Sequence, residues 1–255
     1  MDKFISKIKK DFTKNQHMGR YSWKSQEDTL FLESQVETTL QILKKILSEK
    51  ATAQISILSP TANTASLEAR MFKKLKQEKE FSNISFIAGD VADIAIDKEV
   101  FNNDVLYARF DALNLPFKDN SIDILFDKKG LLWFACEYKK IDKITESLEE
   151  YFRILKEDGE IIIDAIKDEY SILRIDKNRD DAKCDNIPWI QNMKEGEVLR
   201  ILQREPSTYS LLLHTLNCNE DFKDYFQANY KHELISIEKP YLFARITKIS
   251  SKNKL

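Results

Sequence analysis

The strongest constraint on this chain is the stretch from Val105 to Phe134, VLYARFDALNLPFKDNSIDILFDKKGLLWF. VLYARF and IDILF are short β-branched and aromatic runs, and Pro116, Asp119, Asn120 and Ser121 between them are turn chemistry. Each run is followed at once by an aspartate, Asp111 and Asp127. Neighbouring parallel strands of an open α/β sheet put their following loops along one edge, where ligands bind. Both aspartates are therefore expected on that edge.

The flanking sequence supplies the rest of such a sheet. SQEDTLFLESQVETTLQILKKILSEK, from Ser25, has Leu32, Val36, Leu40, Leu43 and Leu47 at three- and four-residue steps and predicts an amphipathic helix, with Ser25 and Asp28 as a capping pair. QISILSP, Gln54 to Pro60, reads as a first strand, and NISFIAGDVADIA, Asn83 to Ala95, as a second that ends near Gly89 and Asp90. Between them Asn63 or Thr64 is placed to cap a helix running through Leu75. Ile141 to Leu155 predicts a further helix with Gly159 as its stop, and GEIIIDAI a buried parallel strand in which Asp164 needs a polar partner. Parallel strands are thus expected near 54–59, 84–89, 105–110, 122–127 and 160–165, and an antiparallel hairpin near 232–248. A strand at Tyr209 to Leu216 and a short helix over EDFKDYFQANY complete the reading.

Composition narrows the partners. Forty basic and 42 acidic residues leave a formal net charge of −2, so no global field argues for nucleic acid or a membrane. Five glycines, against an average usage of about 7%, exclude a Gly-rich phosphate loop. Cys136, Cys184 and Cys218 read as free thiols, and His17, His214 and His232 have no metal-ligand spacing, so no metal site is expected. With no signal peptide and no run of about 18 apolar residues, the expectation is a soluble, cytoplasmic chain. Oligomeric state has no sequence signal.

The D-A-x-x-L-P-F-x-D-N-S-x-D-I-L-F pattern around Asp111 resembles the region from the third into the fourth strand of class I S-adenosylmethionine (SAM)-dependent methyltransferases, nearest to the branch acting on quinones and other small molecules. YFRILKEDGEIIIDAI is similar to that family's next helix end, turn and fifth strand. The resemblance implies a Rossmann-like seven-stranded α/β sheet with helices on both faces and an antiparallel C-terminal hairpin. It implies one domain over 1–255, with 1–50 as an N-terminal helical segment. Residues 167–216 break the rhythm and read as a cap-like insertion over the strand ends.

The resemblance further implies SAM as cofactor, held by Leu58, Ser59, Thr61, Asn63, Asp90, Val91, Asp111, Ala112 and Asp127. A carboxylate at Asp90 suits two ribose hydroxyls, with Asp93 close enough to compete. Asp111 and Ala112 stand where the family meets adenine, although Asp111 also fits as the cap of a turn before Pro116. The family's first strand ends in an acidic residue and G-x-G-x-G; here the text is S-P-T-A-N-T-A-S, with Ser59 near the acidic position and none of the glycines. That departure keeps open a methyltransferase-like binding or regulatory protein without activity. Asp127 is the one candidate base. Tyr21, Trp23, Trp133, Phe134, Tyr138 and Trp189 are candidate contacts for a small-molecule substrate, with core packing the competing fate of the aromatics after strand four.

Overall fold

A computed structural model describes residues 6, 26–50, 54–62, 65–91, 105–128, 130–166, 207–235 and 241–249. Tyr21, Trp23, Asn63, Asp93 and Trp189 lie outside the described residues, as does most of the 167–216 segment.

Helix α1 (Gln26–Glu49) is followed by β1 (Ile55–Ser59), α2 (Ser66–Lys76), a 3-10 turn (Lys79–Phe81), β2 (Ile84–Asp90), β3 (Leu106–Arg109) and β4 (Ile122–Asp127). Then come α3 (Leu131–Glu137), α4 (Ile141–Ile154), β5 (Leu155–Ile166), α5 (Thr208–Cys218), α6 (Glu220–Asn229), β6 (Tyr230–Ile235) and β7 (Tyr241–Lys248). The strands form one seven-stranded sheet in the order β3-β2-β1-β4-β5-β7-β6. β1 to β5 run parallel, and β7 is antiparallel to both β5 and β6. The expected α/β sheet and its C-terminal hairpin are therefore present.

Side chains alternate across each strand, so the sheet buries two cores. On one face Ile57, Phe86, Ile124 and Phe126 pack under α1 and α2 with Val36, Leu43, Ile46 and Phe72. On the other, Leu58, Leu125, Ile161 and Ile163 meet Leu148, Tyr151 and Phe152 of α4, Leu212 and Leu216 of α5, and Phe226 of α6. The continuous apolar text of β5 reflects burial on both faces.

Three local expectations change. Tyr209–Leu216 lies within a helix, α5, because Ser207 caps it by accepting from Ser210 N at 3.2 Å and Leu211, Leu212 and Leu216 pack on the core. A short apolar run does not itself distinguish strand from buried helix. Second, α4 has no glycine stop: Leu155 is already extended and pairs with Ile122, while Glu160 pairs with Ile124. Lys156 to Gly159 form the irregularity between those pairs. Third, Ala65 occupies the N-cap position of α2 in the left-handed region (φ 56°), with no side-chain cap. Asp164 finds its partner in Thr208, whose Oγ1 donates to Oδ1 at 2.5 Å. Among the described residues no helix is long and apolar enough to cross a membrane.

Candidate functional site at the carboxyl ends of the strands

Because β1 to β4 are parallel neighbours, Ser59, Asp90, Arg109 and Asp127 end on one edge of the sheet. Asp90 is in register with Arg109, and Phe110 N donates to Asp90 O at 3.3 Å. Asp111 follows immediately. Asp90 and Asp111 thus lie on the same edge, as the parallel pairing of β2 and β3 requires. Asp90, Val91 and Asp111 are half-buried, whereas Ala112 is buried.

The loop carrying Asp111 is built from two sides. Asp111 Oδ1 accepts from Leu113 N at 2.9 Å, so the turn-capping role is real and occupies one oxygen. From α4, Arg153 donates to Phe117 O and Leu115 O, both at 2.9 Å, and to Asp119 Oδ1 at 2.6 Å, while Glu150 Oε1 accepts from Leu115 N at 2.6 Å. Burial raises the Glu150 carboxyl, but the Arg153 guanidinium and the Leu115 amide outweigh it and hold the group below its ordinary range. Neither residue stands out in the sequence, since the contact spans more than thirty positions.

Gly89 makes a close approach possible. A Cβ there would stand 2.3 Å from Phe110 Cζ and 2.4 Å from Ala108 O, so a glycine lets both the ring and the β3 backbone approach the end of β2. Phe110 in turn packs edge-on against Phe117 at 5.6 Å between centroids.

The β1 loop reaches its place without glycines. Ala62 N donates to Gly89 O at 2.8 Å, and Thr61 Oγ1 donates to Asp127 Oδ1 at 3.2 Å. Asp127 is fully buried; its Oδ2 accepts from Leu132 N at 3.1 Å and from the Tyr151 hydroxyl at 3.0 Å. Burial pushes its carboxyl up from 3.8 to about 6, against the pull of these three donors. Both oxygens are thus engaged, so the carboxylate ties the β1 loop, the start of α3 and α4 together. Gly130 is where this tie passes the backbone: a Cβ would lie 1.8 Å from Asp127 Oδ1 and 1.9 Å from Thr61 Oγ1.

Beside it, Ser59 Oγ donates to Oε1 of Glu68 at 2.9 Å; both residues are buried. Glu68 reads in the sequence as an ordinary acidic residue in the first turn of a helix. Burial drives its carboxyl up from 4.5 to about 7, and the charges of Lys128 and Asp90 also reach it. Leu58 lies wholly in the core, so only its backbone is at the edge.

The aromatics after β4 divide. Trp133 is buried in the core and meets Phe134 edge-on at 5.1 Å. Phe134 and Tyr138 are half-buried and stack, 6.4 Å apart at 15°. Tyr209 is buried, with its hydroxyl 2.8 Å from His232 Nδ1. Among the described residues no group of three or more His, Cys, Asp or Glu is placed to hold a metal ion.

Residues 61–163 match the family model for a methyltransferase domain. No curated protein matches the sequence. Among solved structures, the PH0226 protein from Pyrococcus horikoshii is similar with a TM-score of 0.51 at 14% identity, covering 91% of this chain and 99% of that one. A SAM-dependent methyltransferase from Thermotoga maritima, described as a possible histamine N-methyltransferase, gives 0.49 at 17% identity, with 89% and 96% covered. A putative SAM-dependent methyltransferase from Methanococcus maripaludis gives 0.48 at 17%, with 98% and 96% covered.

The family implies SAM, and the donor set of this edge fits an adenosyl group: two half-buried carboxylates follow adjacent strands, with a buried hydroxyl and carboxyl at the end of β1. The methyltransferase-domain match over residues 61–163 runs from the β1 loop into β5, and so takes in Asp90, Asp111 and Asp127 on this edge.

Proposed function

We propose that the chain is a SAM-dependent methyltransferase whose acceptor is a small molecule. The observation that carries this reading is the placement of Asp90 and Asp111 on one edge, directly beyond the parallel strands β2 and β3. In it, Asp90 accepts from the ribose hydroxyls, and Asp111 with the Ala112 amide meets the adenine. Val91 and the backbone at Leu58 border the group, and Ser59, Thr61 and Asn63 lie toward its amino-acid end. When bound, SAM supplies an electrophilic methyl group on a sulfonium.

The chain's own contribution is to align and to exclude water, which supplies much of the rate in a direct transfer. Asp127 positions the loops in this reading; with both oxygens engaged it is a poor proton acceptor. The acceptor then brings its own nucleophilic lone pair. The Phe134–Tyr138 stack supports a flat or apolar acceptor beside the β4 edge. Tyr21, Trp23 and Trp189 remain proposed contacts, and the 167–206 part of the insertion a proposed cover.

A second reading has a specific observation behind it. The Thr61–Asp127 bond crosses from the β1 loop to β4 where the family carries glycines, which favours a methyltransferase-like binding protein without transfer. Incubation with methyl-labelled SAM and a mixture of small nucleophiles separates the two. Label in an acceptor with matching S-adenosylhomocysteine supports transfer, whereas tight SAM binding without turnover supports the binding protein.

A further inference from the structure

Strand β1 ends in Ser59, a neutral side chain, yet a carboxyl group stands at that point. It comes from the next helix: Glu68, in the first turn of α2, is turned inward, is only 4% exposed, and accepts from Ser59 Oγ at 2.9 Å. Among the described residues, the charges that reach it are Asp90 from the end of β2 and Lys128 from beyond β4, and its own charge with that of Asp90 reaches the Tyr107 hydroxyl of β3. Charges at the strand ends on either side of β1 therefore reach Glu68. A charge held between those ends reaches it too, because little solvent intervenes to screen it.

We propose that Glu68 is the charge-selecting residue of this edge: its carboxylate favours a cationic adenosyl ligand, SAM, over the neutral thioether S-adenosylhomocysteine, and it releases a proton to solvent when the cation binds. This rests on the reading above that the edge holds an adenosyl group. The two ligands share adenine, ribose and amino-acid groups and differ by the methyl and its sulfonium charge; because contacts of the methyl do not titrate, the pH dependence of the preference isolates the charge. Burial already leaves the free carboxyl titrating near neutrality, at about 7, so a nearby cation has a proton to displace. Selection of the charged ligand would also ease departure of the neutral product.

The test is calorimetric titration of the full chain with each ligand at pH 6 and pH 8, in two buffers of different ionisation enthalpy. The expected result is that the preference for SAM over S-adenosylhomocysteine grows by roughly fivefold or more between pH 6 and 8, with net proton release for SAM at neutral pH. Glu68→Gln, which keeps an acceptor for Ser59, is expected to bind both ligands with a preference independent of pH and without that release. Ser59→Ala removes a donor that favours the ionised form, so it moves the change in preference to higher pH. A preference that does not vary with pH in the native chain, or that varies equally in Glu68→Gln, overturns the proposal. Failure of both ligands to bind at either pH overturns the adenosyl reading itself.

Discussion

The Tyr151 hydroxyl donates to Asp127 Oδ2 at 3.0 Å inside the core, joining the middle of α4 to the end of β4. That bond lowers the carboxyl while burial raises it. Removing it leaves a buried carboxylate short of one donor, at a cost of about 1–3 kcal/mol. Tyr151→Phe is therefore expected to destabilise the chain by that order at pH 8 and by less at pH 5, where Asp127 is protonated. Equal losses in urea denaturation at both pH values would contradict the assignment.

Glu68 and Asp127 set a pH dependence of stability. Both have folded-state pKa values above their ordinary ones, about 7 against 4.5 and about 6 against 3.8. The folded chain thus binds more protons than the unfolded chain between those values, and stability falls as pH rises through them. The share of Glu68 is on the order of 2–3 kcal/mol, present near pH 4.5 and lost by pH 8. Glu68→Gln is expected to flatten the profile over that window and to be at least as stable as the native chain at pH 8. A Glu68→Gln profile as steep as the native one would show that another group carries the dependence.

Gly130 and Gly89 test the close approaches. In Gly130→Ala the new Cβ strikes Asp127 and Thr61, so the tie between the β1 loop and β4 must break. Loss of about 2–4 kcal/mol is expected, the range for strain and broken buried polar networks. Gly89→Ala displaces the Phe110 ring and pushes on the Ala108 carbonyl of β3, 2.4 Å from the new Cβ. It is expected to disturb the Asp111 loop first, seen as faster amide exchange over 110–119 with the β4–β5 core unchanged. Unaltered exchange in that loop would count against the role given to Phe110.

The Arg153–Glu150 pair holds the backbone of the loop after Asp111 and is predicted to support adenosyl binding through it. Arg153→Ala frees the carbonyls of Leu115 and Phe117 and leaves Glu150 with only the Leu115 amide. Binding of an adenosyl ligand should weaken several-fold while the sheet stays folded, which far-ultraviolet dichroism alongside calorimetry would check. Unchanged affinity would make the clamp purely structural.

The strands were legible because each apolar run is short, bounded by turn residues and followed by a polar group. β4 begins and ends where IDILFD does, β1 and β2 differ from the reading by a residue at one end, and β3 by a residue at each end. Asp90 and Asp111 could be placed on one edge because each follows a run that reads as a strand of one parallel sheet. What the sequence hides is the long-range chemistry. Glu68 looks like a dipole-compensating acid, Tyr151 like a packing residue and Arg153 like a solvated helix charge, yet each bonds a strand end or loop belonging to another element. Tyr209 to Leu216 misread as strand because its cap, Ser207, lies outside the apolar run. The β1 loop shows a further limit: absent glycines are visible in the text, but Ala65 at positive φ and the Thr61–Asp127 bond in that loop are not.

The most direct measurement of the central claim is calorimetric titration of SAM into the native chain, Asp90→Ala and Asp111→Ala, each checked for an unchanged melting temperature without ligand. Saturable binding is expected in the native chain, weakened by roughly 1–3 kcal/mol in each variant. At about a hundredfold excess over the dissociation constant, SAM should also stabilise the native fold by about 2.7 kcal/mol. Absence of binding to the native chain, or binding that both substitutions leave intact, would contradict the assignment of this edge to an adenosyl cofactor.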